Sequence, residues 1–466
     1  MTAVVGILNR RGAAIAADSA VTRHRGFKGE KITKNGNKML RLSNVVPISI
    51  MLTGNGDFLH VQWDIVIRRY RQERGNIEHA TVKDCAQDFF DYIASKDIFF
   101  DLAIVKQFIL SVISRTYEDV VQAMPRNLDI RDEHGKLKKA KSFATSFENQ
   151  CRKYQKVFLK NGICSQFENY TFDDFKKFLS TTDMVEQFAM KYGYDEEDCF
   201  VVSKGMPLNL LHGVMEEFLR TVYIRLIERH SRGGRLAELV FTGFGTEEKY
   251  PSLLSAITYE GFDSHVNYYF RKEVHIDDKH PVAICPFAQD DITNSILQGI
   301  HEKYEFNLFV SFPILIADDN VAECTPDMDL QPEDDKDSIE EIDVGMDDQN
   351  FMPEWELMEV QDEDLKKQVN SALQGHKKQN QRQWEKALES YNLEAMAALA
   401  ESLIDLTGFQ RILNFDPEGV GGPVDVAVIS KNDGFTWLSR KSWYHHKDTN
   451  SMADLEYKLI KPNVYG

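Results

Sequence analysis

The chain has 466 residues, 42% of them hydrophobic and 27% charged, which is the make-up of an ordinary globular protein and excludes global disorder and collagen. Its formal net charge is −18, yet Asp318 to Asp364 alone holds 20 carboxylates against one cation, Lys336. The remainder is close to neutral, so the acidity describes one segment and argues neither for nor against a nucleic-acid partner elsewhere.

The first 55 residues read as short strands joined by tight turns, because β-rich runs are punctuated by Gly and Asn. Ala3 to Asn9 is one run, Arg10-Arg11-Gly12 a turn, and Ala13 to Asp18 a second run of small residues. Asn35-Gly36 suits a turn before Lys38 to Leu42, and Ile48 to Thr53 is apolar enough for a strand buried on both faces. Helical spacing is predicted over 57–73, with Phe58, Val61, Trp63, Ile65 and Val66 as its stripe, and again over 80–97. Residues 98–205 have no single period and are expected to be an insertion with helices of its own. Leu210 to His230 is an amphipathic helix stopped by Gly233-Gly234.

Strands return at Glu238 to Phe244, Leu253 to Tyr259 and Val266 to Val274, with turns expected at Glu247-Glu248 and Glu260-Gly261, and a helix follows at about 290–304. The acidic run with Pro326, Pro332 and Pro353 fits a self-repelling loop. Leu365 to Leu406 is a second long helical region, and Val424 to Ser430 and Phe435 to Ser439 form a final hairpin. The expected organisation is a core in three parts, 1–97, 206–304 and 371–466, interrupted by insertions at 98–205 and 305–370. Its fold class is α/β (α+β), two sheets between helical layers.

Six scattered cysteines (Cys85, Cys151, Cys164, Cys199, Cys285, Cys324) without a C-x-x-C fit a reducing compartment. With neither a signal peptide nor an apolar run of membrane-spanning length, a soluble cytoplasmic protein is expected.

Removal of Met1 would expose Thr2, which then carries nucleophile and base in one residue. The free α-amine, with an ordinary pKa near 8, is among the few groups able to accept a hydroxyl proton at neutral pH. Asp18 ends the run that, if antiparallel to the first, returns the chain to its start. Lys38 opens another strand, where an ammonium would support the Asp18 carboxylate; Lys31 and Lys34 lie in the same turn-rich segment. Gly54 follows a buried strand, where a backbone N–H could point at a developing oxyanion.

Thr2-Ala-Val-Val-Gly6, Ile15-Ala-Ala-Asp18-Ser19 with Thr22 after it, Lys38-Met-Leu-Arg-Leu42 and Thr53-Gly-Asn-Gly-Asp57 together resemble proteasome β-subunits and their bacterial ATP-dependent relatives. Leu239 to Gly245, Pro251-Ser-Leu-Leu and Gly421-Gly-Pro-Val-Asp-Val-Ala-Val-Ile429 resemble later parts of the same family. The resemblance implies a four-layer α/β/β/α N-terminal-nucleophile (Ntn) hydrolase sandwich with two insertions, acting as a threonine-type peptidase. It assigns Thr2 as nucleophile, Asp18 and Lys38 as charged support, Thr22 as a group holding an extended peptide, and Thr53 or Gly54 as oxyanion donor, with Gly54 preferred. It also implies a peptide or unfolded-protein substrate and a homo-oligomeric ring. Two departures stand out. Ala283 to Gln289 replaces a Gly-Ser-Gly turn, and Asp416 and Val420 stand where an Asp and a Ser are usual. They keep two rivals in view, a non-catalytic structural subunit and an Ntn amidase for a small molecule.

His230, His280 and His445-His446 lack any metal-ligand spacing, so neither metal nor cofactor is expected. Cys285, beside Pro286, reads as structural. Without a G-x-x-x-x-G-K-[ST] loop, any ATP dependence would come from a separate ATPase unfoldase. Basic runs interleaved with aromatics are missing apart from Lys136 to Lys141, and neither nucleic acid nor membrane is an expected partner.

Overall fold

A computed structural model describes residues 3–24, 30–33, 36–195, 197, 204–229, 235–289, 291–300, 363–413 and 421–441. Runs of small and β-branched residues make Ala3–Asn9 (β1) and Gly12–Ala17 (β2) an antiparallel hairpin turned at Arg10-Arg11. Val21–His24 (β3) pairs with Glu30–Thr33 (β4), and Met39–Arg41 (β5) with Ile48–Gly54 (β6).

The helical spacing expected from residue 57 begins only at Trp63. Before it, Asp57–Phe58 (β7) and Val61–Gln62 (β8) form a small hairpin whose turn, Leu59-His60, has φ of 44° and 66°, the positive values a two-residue turn of this kind demands. Helix α1 (Trp63–Arg74) then buries Trp63, Val66, Ile67 and Tyr70 and leaves Ile65 exposed. Helix α2 (Val82–Ala94) starts from a capping box between Thr81 and Asp84. The region after residue 98 folds into α3 (Leu102–Gln122), α4 (Ala140–Lys160), α5 (Phe172–Ser180) and α6 (Met184–Tyr192). A parallel pair, Gly193–Tyr194 (β9) and Met206–Pro207 (β10), leads to α7 (Leu208–Ile227).

Strands β11 (Ala237–Gly243), β12 (Ser252–Phe262), β13 (His265–His275) and β14 (Val282–Ala288) follow. The β12/β13 turn lies at Asp263-Ser264, φ 49° and 58°, rather than at Glu260-Gly261. Gly261 lies inside β12 beside a register shift, and a Cβ there would lie 2.3 Å from the His265 carbonyl oxygen, so the close approach of the two strands requires glycine. Helix α8 (Asp291–Gln298) ends before Gly299, φ 73°. The long helical region is two helices, α9 (Glu363–Ser390) and α10 (Leu393–Leu413). They are broken at Asn392, whose side-chain oxygen accepts the Ala395 amide at 2.9 Å. Asp425–Ser430 (β15) and Gly434–Ser439 (β16) close the described chain. Most of the acidic run, through residue 362, lies outside the described residues.

The chain divides into two units, Met1–Ile292 with Glu385–Gly466, and Thr293–Trp384; the candidate site belongs to the first. There, two five-stranded antiparallel sheets have the orders β14-β1-β2-β15-β16 and β13-β12-β11-β6-β5. Val4 and Leu8 of β1, Ile15 of β2 and Ala427 and Ile429 of β15 meet Met51, Val240 and Leu253 of the other sheet in one buried cluster. Gly6 stands between Val4 and Leu8, and a Cβ there would come within 3.0 Å of Leu253 Cδ1, so the glycine admits the second sheet. Ala14 and Ala16 alternate to the opposite face of β2, against α10, which buries Met396, Ala397, Ala400 and Leu403. Asn9 Nδ2 donates to the carbonyls of Leu388 and Tyr391, at 3.0 Å each, and anchors the turn into α10. Across the molecule, Ile48, Ile50, Leu239 and Phe241 face Trp63, Phe89 and Phe90 in a larger cluster that continues through α3 to α7.

Candidate active site

The β1/β2 register, Val4 opposite Ala17, sets Asp18 beside Ala3. The Asp18 amide donates to the Ala3 carbonyl at 3.1 Å, and the Ala3 amide returns a bond to Asp18 Oδ1 at 2.9 Å. Lys38 Nζ donates to the same oxygen at 2.6 Å. Asp18 Oδ2 accepts the amides of Ala20 at 3.1 Å and Gly421 at 3.2 Å. Four donors therefore converge on one buried carboxylate, as many as its two oxygens accommodate. The carboxylate ties together the start of β1, the end of β2, the approach to β5 and the loop before β15.

Lys38 reaches this point because β5 pairs with β6, Met39 opposite Met51, and the Leu52 amide donates to the Lys38 carbonyl at 2.8 Å. Burial pulls its ammonium below the ordinary lysine range. Asp18 opposes that shift, and the nearby cation Lys441 adds to it. Lys31 lies in β4 opposite Arg23, and Lys34 falls outside the described residues.

Thr53 is buried, and Gly54 ends β6 opposite Ala237, two residues beyond the amide that Lys38 holds. Gly54 has φ 77°, and a Cβ there would sit 2.5 Å from the Leu236 carbonyl oxygen, so both its conformation and its surroundings require glycine. A separate cleft of about 250 Å³ lies between the Leu59-His60 turn and α3, with Phe108, Arg115, Arg235 and Glu260 in its walls; none of Asp18, Lys38, Thr53 and Gly54 lines it. Thr22 lies in β3 opposite Ile32. Thr2 lies outside the described residues, one position from the Ala3 amide that Asp18 binds.

Beside this pair lies a second one, Lys441 and Asp425, which the sequence reading did not single out. Lys441 Nζ donates to Asp425 Oδ2 at 2.7 Å, to Ser19 Oγ at 3.0 Å and to the Gly36 carbonyl at 2.5 Å. Its side chain is 6% exposed and that of Asp425 5%. The available signal was a lone carboxylate, Asp425, inside the run Val424 to Ser430; a charge within a buried apolar run needs a partner.

Ala288, in the segment Ala283 to Gln289, pairs with Ala3 and takes φ 68°, so this segment also passes the start of β1. Asp416 and Val420 lie outside the described residues. Cys285 is buried, and burial pushes its thiol up. His280 is exposed beside Asp277; His230, His445 and His446 lie outside the described residues. Among the described residues no group of three or more His, Cys, Asp or Glu side chains is placed to hold a metal ion, and no helix is long and apolar enough to cross a membrane.

No protein-family model matches the chain, and no curated protein matches it. Among solved structures, the Anbu (Gly-1) mutant from Hyphomicrobium sp. strain MC1 is similar at 9% identity and a TM-score of 0.24, covering 95% of this chain and 86% of that one. A likeness at that level carries no argument about fold or chemistry.

Proposed function

We propose that the two facing sheets with helices on their outer faces are the four-layer α/β/β/α sandwich of an Ntn hydrolase, and that the chain is a threonine-type peptidase of the proteasome superfamily. One observation carries the reading. The buried Asp18 carboxylate grips both the Ala3 amide and the Lys38 ammonium, which holds a charged pair beside the residue next to Thr2.

Once the peptide bond preceding Thr2 is cut, its Oγ1 attacks an amide carbonyl while its α-amine takes the hydroxyl proton. Lys38 and Asp18 supply the field that favours the alkoxide, and the Gly54 amide donates to the oxyanion. The protonated amine then passes its proton to the leaving nitrogen, the C–N bond breaks, and an ester to Thr2 remains. Water deprotonated by the same amine hydrolyses that ester. None of these steps needs a cofactor. The reading implies a peptide or unfolded-protein substrate, a closed ring of copies and a separate ATPase unfoldase.

Intact mass spectrometry combined with a peptide epoxyketone probe tests it. The expected result is a mature chain starting at Thr2 and one probe adduct there, with Thr2→Ala abolishing both adduct and hydrolysis while circular dichroism is unchanged. Unaltered hydrolysis in Thr2→Ala overturns the proposal.

A further inference from the structure

The second buried ion pair bears on the same site. Lys441 uses all three ammonium donors, and each acceptor belongs to a different segment: Ser19 Oγ, the Gly36 carbonyl and Asp425 Oδ2. Ser19 directly follows Asp18, and Gly36 stands two residues before Lys38. The Gly36 amide donates back to the Ser19 carbonyl at 3.0 Å, so the two segments are already paired where the ammonium joins them. Ser19 Oγ donates onward to the Pro423 carbonyl at 2.5 Å, in the loop whose Gly421 amide binds Asp18. The stem is fixed as well, because the Lys441 backbone amide donates to Asp425 Oδ1 at 2.9 Å.

Stability alone is a poor reason for this arrangement. A buried ion pair is commonly no better than a well-packed apolar pair of the same volume, and this one sets its cation near another buried cation, Lys38.

We propose that Lys441 is a positioning residue: by holding Ser19 and Gly36 it fixes the two segments that present Asp18 and Lys38 to the start of the chain. The inference rests on the peptidase reading of this site. It gives Lys441, two residues beyond β16, a role in the site through Ser19 and Gly36 and without contact to the substrate.

The test uses the full chain in four forms: wild type, Lys441→Met, Lys441→Arg and the double variant Asp425→Asn with Lys441→Met. The double variant removes both charges and so guards against a failure to fold caused by an orphaned Asp425. With a fluorogenic peptide, Lys441→Met and the double variant are expected to lose at least about tenfold in kcat with KM changed less than about twofold, the signature of a displaced catalytic group rather than a lost binding contact. Lys441→Arg is expected to recover part of that loss. Wild-type kcat in the folded double variant overturns the proposal.

A second readout does not depend on turnover. Acetylation of Lys38 by acetic anhydride, localised by mass spectrometry, is expected to rise at least about fivefold in the double variant while the exposed Lys83 is unchanged, since freeing the Gly36 segment uncovers a buried amine. An unchanged Lys38 overturns the proposal. If wild-type protein hydrolyses no peptide and takes no probe at Thr2, the peptidase reading fails by itself, and the Lys38 acetylation still decides whether Lys441 holds its neighbour.

Discussion

Two of the apolar layers of the first unit are built from different residues. Between the sheets stand mainly small and aliphatic side chains, Val4, Gly6, Ala13, Ile15, Ala17, Met39 and Met51, with Phe244 and Phe287 as buried rings, whereas the layer beneath α1 to α7 is dense with rings: Trp63, Tyr70, Phe89, Phe90, Tyr117 and Phe147. Small side chains let strands and loops approach until the amides of Ala3, Ala20 and Gly421 reach one carboxylate. Large rings cannot do that, but they bury area, and area is what holds a domain together. One layer therefore serves geometry and the other stability, and substitutions in each are expected to fail differently.

The sharpest break is Asp18→Ala. It leaves Lys38 buried without its partner, which costs about 3–5 kcal/mol, and it also removes the acceptor of the Ala3 amide, so peptide hydrolysis is expected to vanish. Urea unfolding and a fluorogenic assay read the two effects together, and retained turnover would undo the contrast between the layers.

Phe89→Ala should cost a similar about 3–5 kcal/mol through the cavity it leaves among Trp63, Tyr70 and Phe241. Its kcat should nevertheless stay within about twofold of wild type, since its ring contacts are Trp63, Tyr70, Phe90 and Phe241, none of them a proposed site residue; the twofold margin is well below a 1.4 kcal/mol change in barrier. A parallel fall in kcat would show that the ring layer also sets the site.

Gly54→Ala is expected to cost about 1–2 kcal/mol for the left-handed backbone, with a further penalty from the Leu236 carbonyl, and to lower kcat more than KM. An unchanged melting temperature would contradict the φ of 77° at this position.

The smallest effect concerns thiols in the ring layer. Burial pushes Cys85, Cys151 and Cys164 up to about 12 from an ordinary value of 9.0. The folded chain thus keeps these protons where the unfolded chain releases them. Their contribution to stability is complete below about pH 9 and is lost as pH rises towards 12. Native protein at pH 8 should leave all three unlabelled by iodoacetamide, with peptide mapping as the check, and labelling should appear only with alkaline or denaturant unfolding.

Local pattern carried a definite share of this molecule. The runs Ala3 to Asn9, Ile48 to Thr53 and Glu238 to Phe244 read as strands because β-branched and small residues are bounded by Gly and Asn. The return of Asp18 to the start of β1 follows from a short turn between two such runs. Two turns escaped that reading. Leu59-His60 adopts positive φ without any turn-forming residue, so a helix was expected too early; Asp263-Ser264 are ordinary turn residues, but Gly261 just before them drew the expected bend to the wrong place.

What only the tertiary structure decided is the company around Asp18. The Gly421 amide is separated from it by 403 positions and Lys441 from Ser19 by 422. Contacts at that range leave no period in the sequence, because either partner alone is just a glycine in a loop or a lysine after a strand. Periodicity records how a segment meets water and core one turn at a time; a shared carboxylate exists only once two sheets have closed on each other and desolvation has made every buried charge find its counterpart.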